Sequence, residues 1–546
     1  MPIKSPLPDV EIPDSALVPF VLERAKELGD KPALIDGPSG RELSFAQLDD
    51  QVRRMAGALM AKDFGKGQTL ALLSPNVPEY AVAFLATTMT GGTVTTINPV
   101  YNTEEIEYQL KDAKARFLVT IPQALEQAKK AADDTGVEEI FVIGEDSFSE
   151  LLKADPLEEQ VAVDPDDLAA LPYSSGTTGY PKGVMLTHRN LVANLAQVHG
   201  AMPLDPDDVV VAVLPFFHIY GMQVILNLAL RAGSTIVTMP RFDLEGFLKI
   251  IQDHKVTRAY VVPPIALALA KHPLVDKFDL SILELVFSGA APLGAELEKA
   301  AASRLGCRVC QGYGMTESSP VSHGIPLPDG ELKPGTIGVA MPNMECRIVD
   351  VETGEDAAEG ERGELWMRGP NIMKGYLNND EATTSTVDDD GWLHTGDVAI
   401  VDEDGYYSIV DRVKELIKYK GFQVAPAELE ALIVSHDQVA DVAVIPVPDE
   451  EAGEIPKAYV VKASEDLTED DVKGFVSERV SSYKQIRLVE FVATLLDGAD
   501  DGGLVKHAVG DTRGGSLRVA LSPPFLDLRD LVLEAVAVEH LVRDGR

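Results

Sequence analysis

A chain of 546 residues, 45% of them apolar, with a mean hydropathy of +0.02, exceeds one ordinary domain and is neither polar enough for disorder nor apolar enough for a membrane bundle. Its 87 acidic and 48 basic residues give a formal charge of −39, which excludes general nucleic-acid binding because phosphate backbones are repelled outside a local basic patch. The acidity fits a salt-rich cytoplasm or a demand for solubility, and an anionic substrate needs a local island of Lys, Arg or backbone N–H groups.

Met1 to Asp14 has no basic-then-apolar signal pattern, so a cytoplasmic location is expected. Ser44 with Gln47 reads as a capping box before Leu48, Val52, Met55, Ala56 and Leu59 at helical spacing. Thr69 to Leu73 reads as a strand, followed by an apolar helix from about Tyr80. Next come a strand from Thr93 to Ile97, a helix from near Thr103 and a strand from Phe117 to Ile121. Such alternation implies a mostly parallel, helix-flanked sheet. The most apolar stretch, Val209 to Leu230, contains Pro215 and His218 and reads as strand, turn and helix rather than a membrane span. Cys307 and Cys310 form a CxxC with no second pair, so together with Cys346 they read as reduced thiols rather than a zinc site.

From Gly335 to Val410 short strands and Gly, Asp and Asn turns predict a compact β-rich section. Beyond Arg412 the pattern is helix (Pro426 to Val434), strands (Val439 to Ile445, Ala458 to Val461), helix (Glu469 to Val480) and strand (Ile486 to Val492). The fold class expected is α/β: a large domain of helix-flanked sheets plus a β-rich subdomain over residues 1–411, and a small mobile α+β domain over 412–492. An atypical tail occupies 493–546, Gly/Asp-rich from Asp497 to Gly515 and then apolar.

Four segments carry chemistry. Tyr173 to Gly183 combines Ser174, Ser175, Gly176, Thr177, Thr178 and Lys182; its glycines permit a tight course, and hydroxyls, freed N–H groups and one mobile cation can surround phosphate oxygens. It lacks the Walker spacing. Gln311, Gly312, Tyr313, Thr316 and Glu317 suit a nucleotide pocket in which Tyr313 covers a purine, Thr316 reaches a phosphate and Glu317 holds Mg²⁺. Asp397, with Arg412 further on, can accept from ribose hydroxyls. Lys414, Lys418 and Lys420, followed by Gly421 and Gln423, form a basic loop in an acidic chain.

These four sets, in this order, resemble the signature of the adenylate-forming superfamily of acyl-CoA synthetases, adenylation domains and luciferases. Leu214 to Tyr220, Ser288 to Gly294 and Ala425 to Glu430 look like motifs of its 4-coumarate–CoA ligase branch, and the similarity runs from about Pro32 to Val492. The resemblance implies two half-reactions: carboxylate plus ATP gives acyl-AMP and pyrophosphate, then CoA displaces AMP, with Mg²⁺ assisting. It implies that Ser174 to Thr178 and Lys182 form the phosphate loop and that His218 sits beside the carboxylate. Tyr220, Ala290 and Gly312 would be near the acyl group, and Gln311, Gly312 and Thr316 at the adenylate. Asp397 would bind ribose with Arg412 assisting. Lys414 would lie at the hinge, Lys418 at the adenylate, and Lys420, Gly421 and Gln423 near CoA. His218, Thr178, Glu317 and Lys418 would be the catalytic set. The partners implied are small molecules only.

The acid is expected to be aromatic, with medium- or long-chain fatty acids as the alternative. Transfer to a carrier protein without CoA, argued against by Lys420 and Gly421, and adenylate binding without catalysis are other readings. Luciferase-like oxygenation rests on fold analogy alone. Family members normally carry a Pro-Lys-x-x-x-Gly-Lys segment soon after the strand matching Ile486 to Val492, its last lysine serving adenylation. Here Ala493 to His507 holds no Pro-Lys and no Gly-Lys, and Lys506 is the one lysine after Lys484. A shifted reading frame, a genuinely altered tail, and replacement by Lys506 are the open explanations. The expectation is impaired acyl-AMP formation with thioester formation retained.

Overall fold

A computed structural model describes residues 2–174, 181–327, 330–412, 416–419, 422–449, 452–480, 482–492, 495–500 and 503–508. Among them the large domain contains two seven-stranded sheets, in keeping with the helix-flanked sheets expected. In spatial order the first runs Gly375–Tyr376, Lys182–Thr187, Leu168–Ser174, Thr93–Ile97, Thr69–Leu73, Ala115–Thr120 and Glu139–Val142. The second runs Arg308–Gln311, Leu285–Ser288, Arg258–Val261, Val209–Ala212, Thr235–Thr238, Pro32–Asp36 and Glu42–Ser44. Both are parallel in their centres and antiparallel at an edge.

Helix Pro78–Met89 touches strands of both sheets, and nearly all of its residues are buried. A helix apolar on every face belongs between layers, so its sequence shows composition rather than periodicity. Local chemistry sets the helix starts. Ser44/Gln47, Asn102/Glu105, Thr187/Asn190 and Thr468/Asp471 form reciprocal capping boxes, and Pro78, Pro263 and Pro426 open helices where a missing N–H costs nothing.

The β-rich section is an antiparallel sheet of Ile3–Lys4, Glu345–Val349, Gly363–Arg368, Leu393–Val401 and Tyr407–Arg412. Residues from Ile417 onward have a core of their own. Helices Pro426–Val434 and Glu469–Ser477 contribute Leu429, Ile433, Val472 and Val476 against Val442, Val444, Ala458 and Val460 of strands Val439–Asp449 and Gly453–Lys462. These strands run longer than their apolar cores, because the ladder continues through Pro446 and Pro448, and the second helix stops at Ser477 rather than Val480. In the tail an antiparallel hairpin, Leu495–Asp500 with Gly503–Ala508, pairs Asp497 with Lys506; Gly and Asp there hid it from a propensity reading. The apolar run near the chain's end lies outside the described residues. Among the described residues no helix is long and apolar enough to cross a membrane.

Two buried polar side chains tie the first sheet to the loop after Val209–Ala212. Asn76 donates to the Ala212 and Leu214 carbonyls at 2.9 and 2.8 Å and accepts from Phe216 N–H at 2.7 Å. Thr96 Oγ1 donates to the Phe217 carbonyl at 2.7 Å. Asn76→Ala leaves these groups without partners and is expected to cost about 3 kcal/mol. The reading is the urea midpoint, followed by fluorescence of Trp366 and Trp392; a loss below about 0.5 kcal/mol would show that the loop holds itself.

Candidate active site

Three strands of the second sheet deliver their loops to one place. The loop carrying His218 follows Val209–Ala212, Gly289 and Ala290 follow Leu285–Ser288, and Gly312 follows Arg308–Gln311. All leave the carboxyl ends of parallel strands, where open α/β sheets bind ligands. Together His218, Tyr220, Ala290, Gly312, Tyr313 and Thr316 line one cavity of about 500 Å³ including its open mouth, completed by Phe287, Met315, Pro320 and Val321. Its wall is mostly apolar with few polar groups, the usual character of a small-molecule site.

Close packing shapes that wall. Tyr220 begins a wide helical segment, Tyr220–Asn227, that continues into Leu228–Ala232. Its hydroxyl donates to the Phe287 carbonyl at 3.2 Å. A Cβ on Gly289 would lie 2.8 Å from the Tyr220 ring, and one on Gly221 would lie 2.0 Å from the Pro215 carbonyl oxygen, so both glycines are sterically required. Ala290 sits at φ +69°, a left-handed conformation that costs an L-residue about 1 kcal/mol. Tyr220 N–H donates to His218 Nδ1 at 3.2 Å, so the neutral imidazole carries its proton on Nε2.

The two sheets join at Ser174 and Glu317. Ser174 ends strand Leu168–Ser174 and pairs in register with Lys182. Its Oγ donates to Glu317 Oε1 at 3.0 Å, and Tyr376 Oη donates to the same oxygen at 2.7 Å. Glu317 is buried at 6% exposure. The Lys182 ammonium stands 4.9 Å from the Tyr376 ring centroid. Among the described residues no group of three His, Cys, Asp or Glu could hold a metal ion; a cation held by Glu317 would have one protein carboxylate and would need water and phosphate oxygens for the rest of its shell. Mg²⁺ commonly binds nucleotides in that way, and Glu317 fits it.

Asp397 pairs in register with Arg412. Arg412 Nε lies 3.4 Å from Asp397 Oδ1, and Tyr313 Oη donates to Oδ2 at 2.5 Å. Burial raises the Asp397 carboxyl above the usual range, with Arg412 and Tyr313 pulling it back. Burial and the facing carboxylate push the Tyr313 phenol well up, so it stays a donor.

Residues 21–377 match the AMP-binding enzyme family, and residues 428–497 match the AMP-binding enzyme C-terminal domain. The chain belongs to the AMP-binding enzyme family. It is 45% identical over 504 residues to 4-coumarate–CoA ligase 2 of Petroselinum crispum, covering 90% of this chain and 93% of that relative. ATP-bound MatB from Rhodopseudomonas palustris superposes with a TM-score of 0.81 at 31% identity, covering 89% of this chain and 97% of that one. The anthranilate CoA ligase AuaEII in complex with anthranoyl-AMP gives a TM-score of 0.82 at 28% identity, covering 91% and 96%.

Within this AMP-binding enzyme, Ser175, Gly176, Thr177, Thr178, Lys414, Lys420 and Gly421 lie outside the described residues. Lys418 and Gln423 face each other in register across strands Ile417–Tyr419 and Phe422–Val424, and their side chains lie outside what is described. Cys307, Cys310 and Cys346 are free, their thiols pushed up to about 11, 12 and 12 by burial; they are inert packing groups.

The Gln311 side chain is 2% exposed and engaged with the protein. It accepts from Leu293 N–H at 2.8 Å and donates to the Leu293 carbonyl at 2.7 Å, with Glu298 at 3.4 Å. Its amide therefore holds the Ala290–Leu293 loop. Sequence reading missed Glu298 and Tyr376. Glu298 sits in an ordinary-looking helix, and Tyr376 among Gly and Asn turns; neither spacing nor composition marks them.

Burial raises the Glu298 carboxyl to about 7 against the hydrogen bonds of Gly335 N–H and Gln311. A raised carboxyl stabilises the fold fully below its unfolded value near 4.5, and this stability is lost as pH rises through about 7. Glu298→Gln removes the buried charge, so it should gain about 1 kcal/mol on wild type between pH 6 and pH 8. Urea unfolding of both proteins at the two pH values measures it; a pH-independent difference would contradict the assignment.

Proposed function

We propose that this chain is an ATP-dependent carboxylic acid–CoA ligase acting in the cytoplasm on an aromatic, 4-coumarate- or cinnamate-like acid. The observation that carries the reading is the single cavity lined by His218, Tyr220, Ala290, Gly312, Tyr313 and Thr316, drawn from separate motifs, with Glu317 directly after it in sequence. Aromatic walls from Tyr220, Phe287 and Tyr313 suit a flat acyl group, and the names of the relatives, a 4-coumarate–CoA ligase and an anthranilate CoA ligase, agree.

In this reading the substrate carboxylate lies beside His218, whose Nε2–H can donate to it. Ser174, Ser175, Gly176, Thr177, Thr178 and Lys182 surround the phosphates. Bound at Glu317, Mg²⁺ would offset phosphate charge as two anions meet. The carboxylate oxygen bonds to the α-phosphorus and pyrophosphate leaves. Asp397 with Arg412 holds the ribose while Tyr313 covers the purine. Gln311 acts through the loop it holds. The thiolate of CoA then attacks the acyl carbon and AMP departs.

Residues 1–411 and 412–492 act as large and small domains turning about Lys414. Turning exchanges Lys418 for Lys420, Gly421 and Gln423 and shields the adenylate from water.

The tail favours a second statement about the first half-reaction. Without a Gly-Lys lysine, and with Lys506 opposite Asp497 in a hairpin, adenylation lacks one of its charge-stabilising groups. Losing one such group costs about 100-fold or more. The test supplies the full chain either with CoA and preformed acyl-AMPs of cinnamate, 4-coumarate, benzoate, octanoate and palmitate, or with the free acids, ATP and CoA. Thioester is expected from the aromatic adenylates, with pyrophosphate exchange into ATP about 100-fold slower than in relatives carrying the lysine. Turnover of octanoyl-AMP alone would overturn the aromatic reading, and ordinary exchange would overturn the tail reading.

A further inference from the structure

Tyr376 lies outside every motif that points to the site, yet it touches both charges placed at the phosphates. Its hydroxyl donates to Glu317 Oε1 at 2.7 Å, and its ring faces the Lys182 ammonium at 4.9 Å. It is 6% exposed, and burial beside Glu317 raises its phenol above the usual range, so it remains a neutral donor.

The backbone around it is fixed on both sides. Leu377 N–H donates to the Gly183 carbonyl at 2.8 Å and Lys374 N–H to the Met185 carbonyl at 3.0 Å, which joins the segment to the strand beginning at Lys182. Met373 N–H donates to the Glu317 carbonyl at 2.8 Å, and Asn371 Nδ2 to the Ser318 carbonyl at 2.8 Å, which joins it to the Glu317 turn. Asn190 Nδ2 holds the Pro370 and Ile372 carbonyls at 2.9 and 2.8 Å. The segment from Pro370 to Leu377 is thus a strap between the phosphate-loop hairpin and the Glu317 turn, and Tyr376 is the side chain at which the two meet.

We infer that Tyr376 is a positioning residue for adenylation, orienting Glu317 as a metal-binding carboxylate while seating Lys182 over its ring. The inference rests on the proposed role of Glu317 toward Mg²⁺. Two neutral donors, Ser174 and Tyr376, meet one carboxylate oxygen. They restrict its rotation, and among the described residues no donor reaches Oε2. The ring offers Lys182 an attractive face without neutralising it, so the ammonium keeps its charge for phosphate.

The two functions of the side chain separate by mutation. Tyr376→Phe keeps the ring and removes the hydroxyl; Tyr376→Leu removes both. The direct readout is ATP affinity by titration calorimetry with Mg²⁺ and with chelator, the ratio of the two giving the metal's contribution. In Tyr376→Phe that ratio should fall about ten-fold, the loss of one hydrogen bond to a charged group, while chelator-bound affinity stays within about two-fold. Tyr376→Leu should also weaken binding without metal by about three-fold. Thioester formation from preformed acyl-AMP, which involves no pyrophosphate, should match wild type in Tyr376→Phe; this shows the fold intact and separates positioning from general damage.

A wild-type metal ratio in Tyr376→Phe would overturn the inference. Glu317→Gln, measured alongside, distinguishes the two levels. If it loses the metal ratio while Tyr376→Phe keeps it, the role of Tyr376 falls alone. If it also keeps the ratio, the metal role of Glu317 falls with it.

Discussion

The site depends on a joint between two sheets. Ser174 ends a strand of the first sheet, Glu317 follows a strand of the second by a few residues, and their side chains meet at 3.0 Å. Neither sheet forms this joint alone. The joint is placed by buried polar groups that have few alternatives: Asn76 and Thr96 on the loop before His218, Asn190 and Asn371 on the strap before Tyr376, and Gln311 on the loop after Ala290. Each leaves an unsatisfied backbone group if it moves, so the cavity is defined by hydrogen-bond satisfaction as much as by apolar packing.

A chain with a formal charge of −39 must create local conditions in which further anions are welcome. The solution is separation by surface. Acidic residues cover exposed turns and helix starts, where Asp and Glu favour the positive ends of helix dipoles. Cations are kept at the site on fixed supports, Lys182 over an aromatic ring and Arg412 against Asp397. The buried carboxylates Glu317 and Asp397 are each met by a tyrosine hydroxyl. A phenol stabilises such a carboxylate without cancelling the charge that a metal or a ribose hydroxyl would read.

Much of this was legible in the sequence where a residue's chemistry is local. The capping boxes, the order of strands and helices, and the segments around Ser174, His218, Gln311 and Asp397 follow from neighbours a few residues apart. Which strands share a sheet was not, because the fully buried helix Pro78–Met89 between the two sheets has no amphipathic period to read. Glu298 and Tyr376 were invisible for a related reason: their partners, Gln311 at 13 residues and Glu317 at 59, lie at separations with no sequence rule. The side chain of Gln311 illustrates the opposite case, a motif residue whose amide serves the loop. The tail hairpin was hidden by Gly and Asp, which disfavour strands on average.

In the function proposed, the adenylate site is assembled by residues up to Arg412 together with Lys418 and needs nothing from the atypical tail. Binding of a non-hydrolysable 4-coumaroyl-adenylate analogue to the full 546-residue chain tests it most directly, since the analogue bypasses adenylation. Binding at least about 100-fold tighter than that of AMP or 4-coumarate alone is expected of a site complementary to the intermediate. An analogue that binds no better than AMP would contradict it.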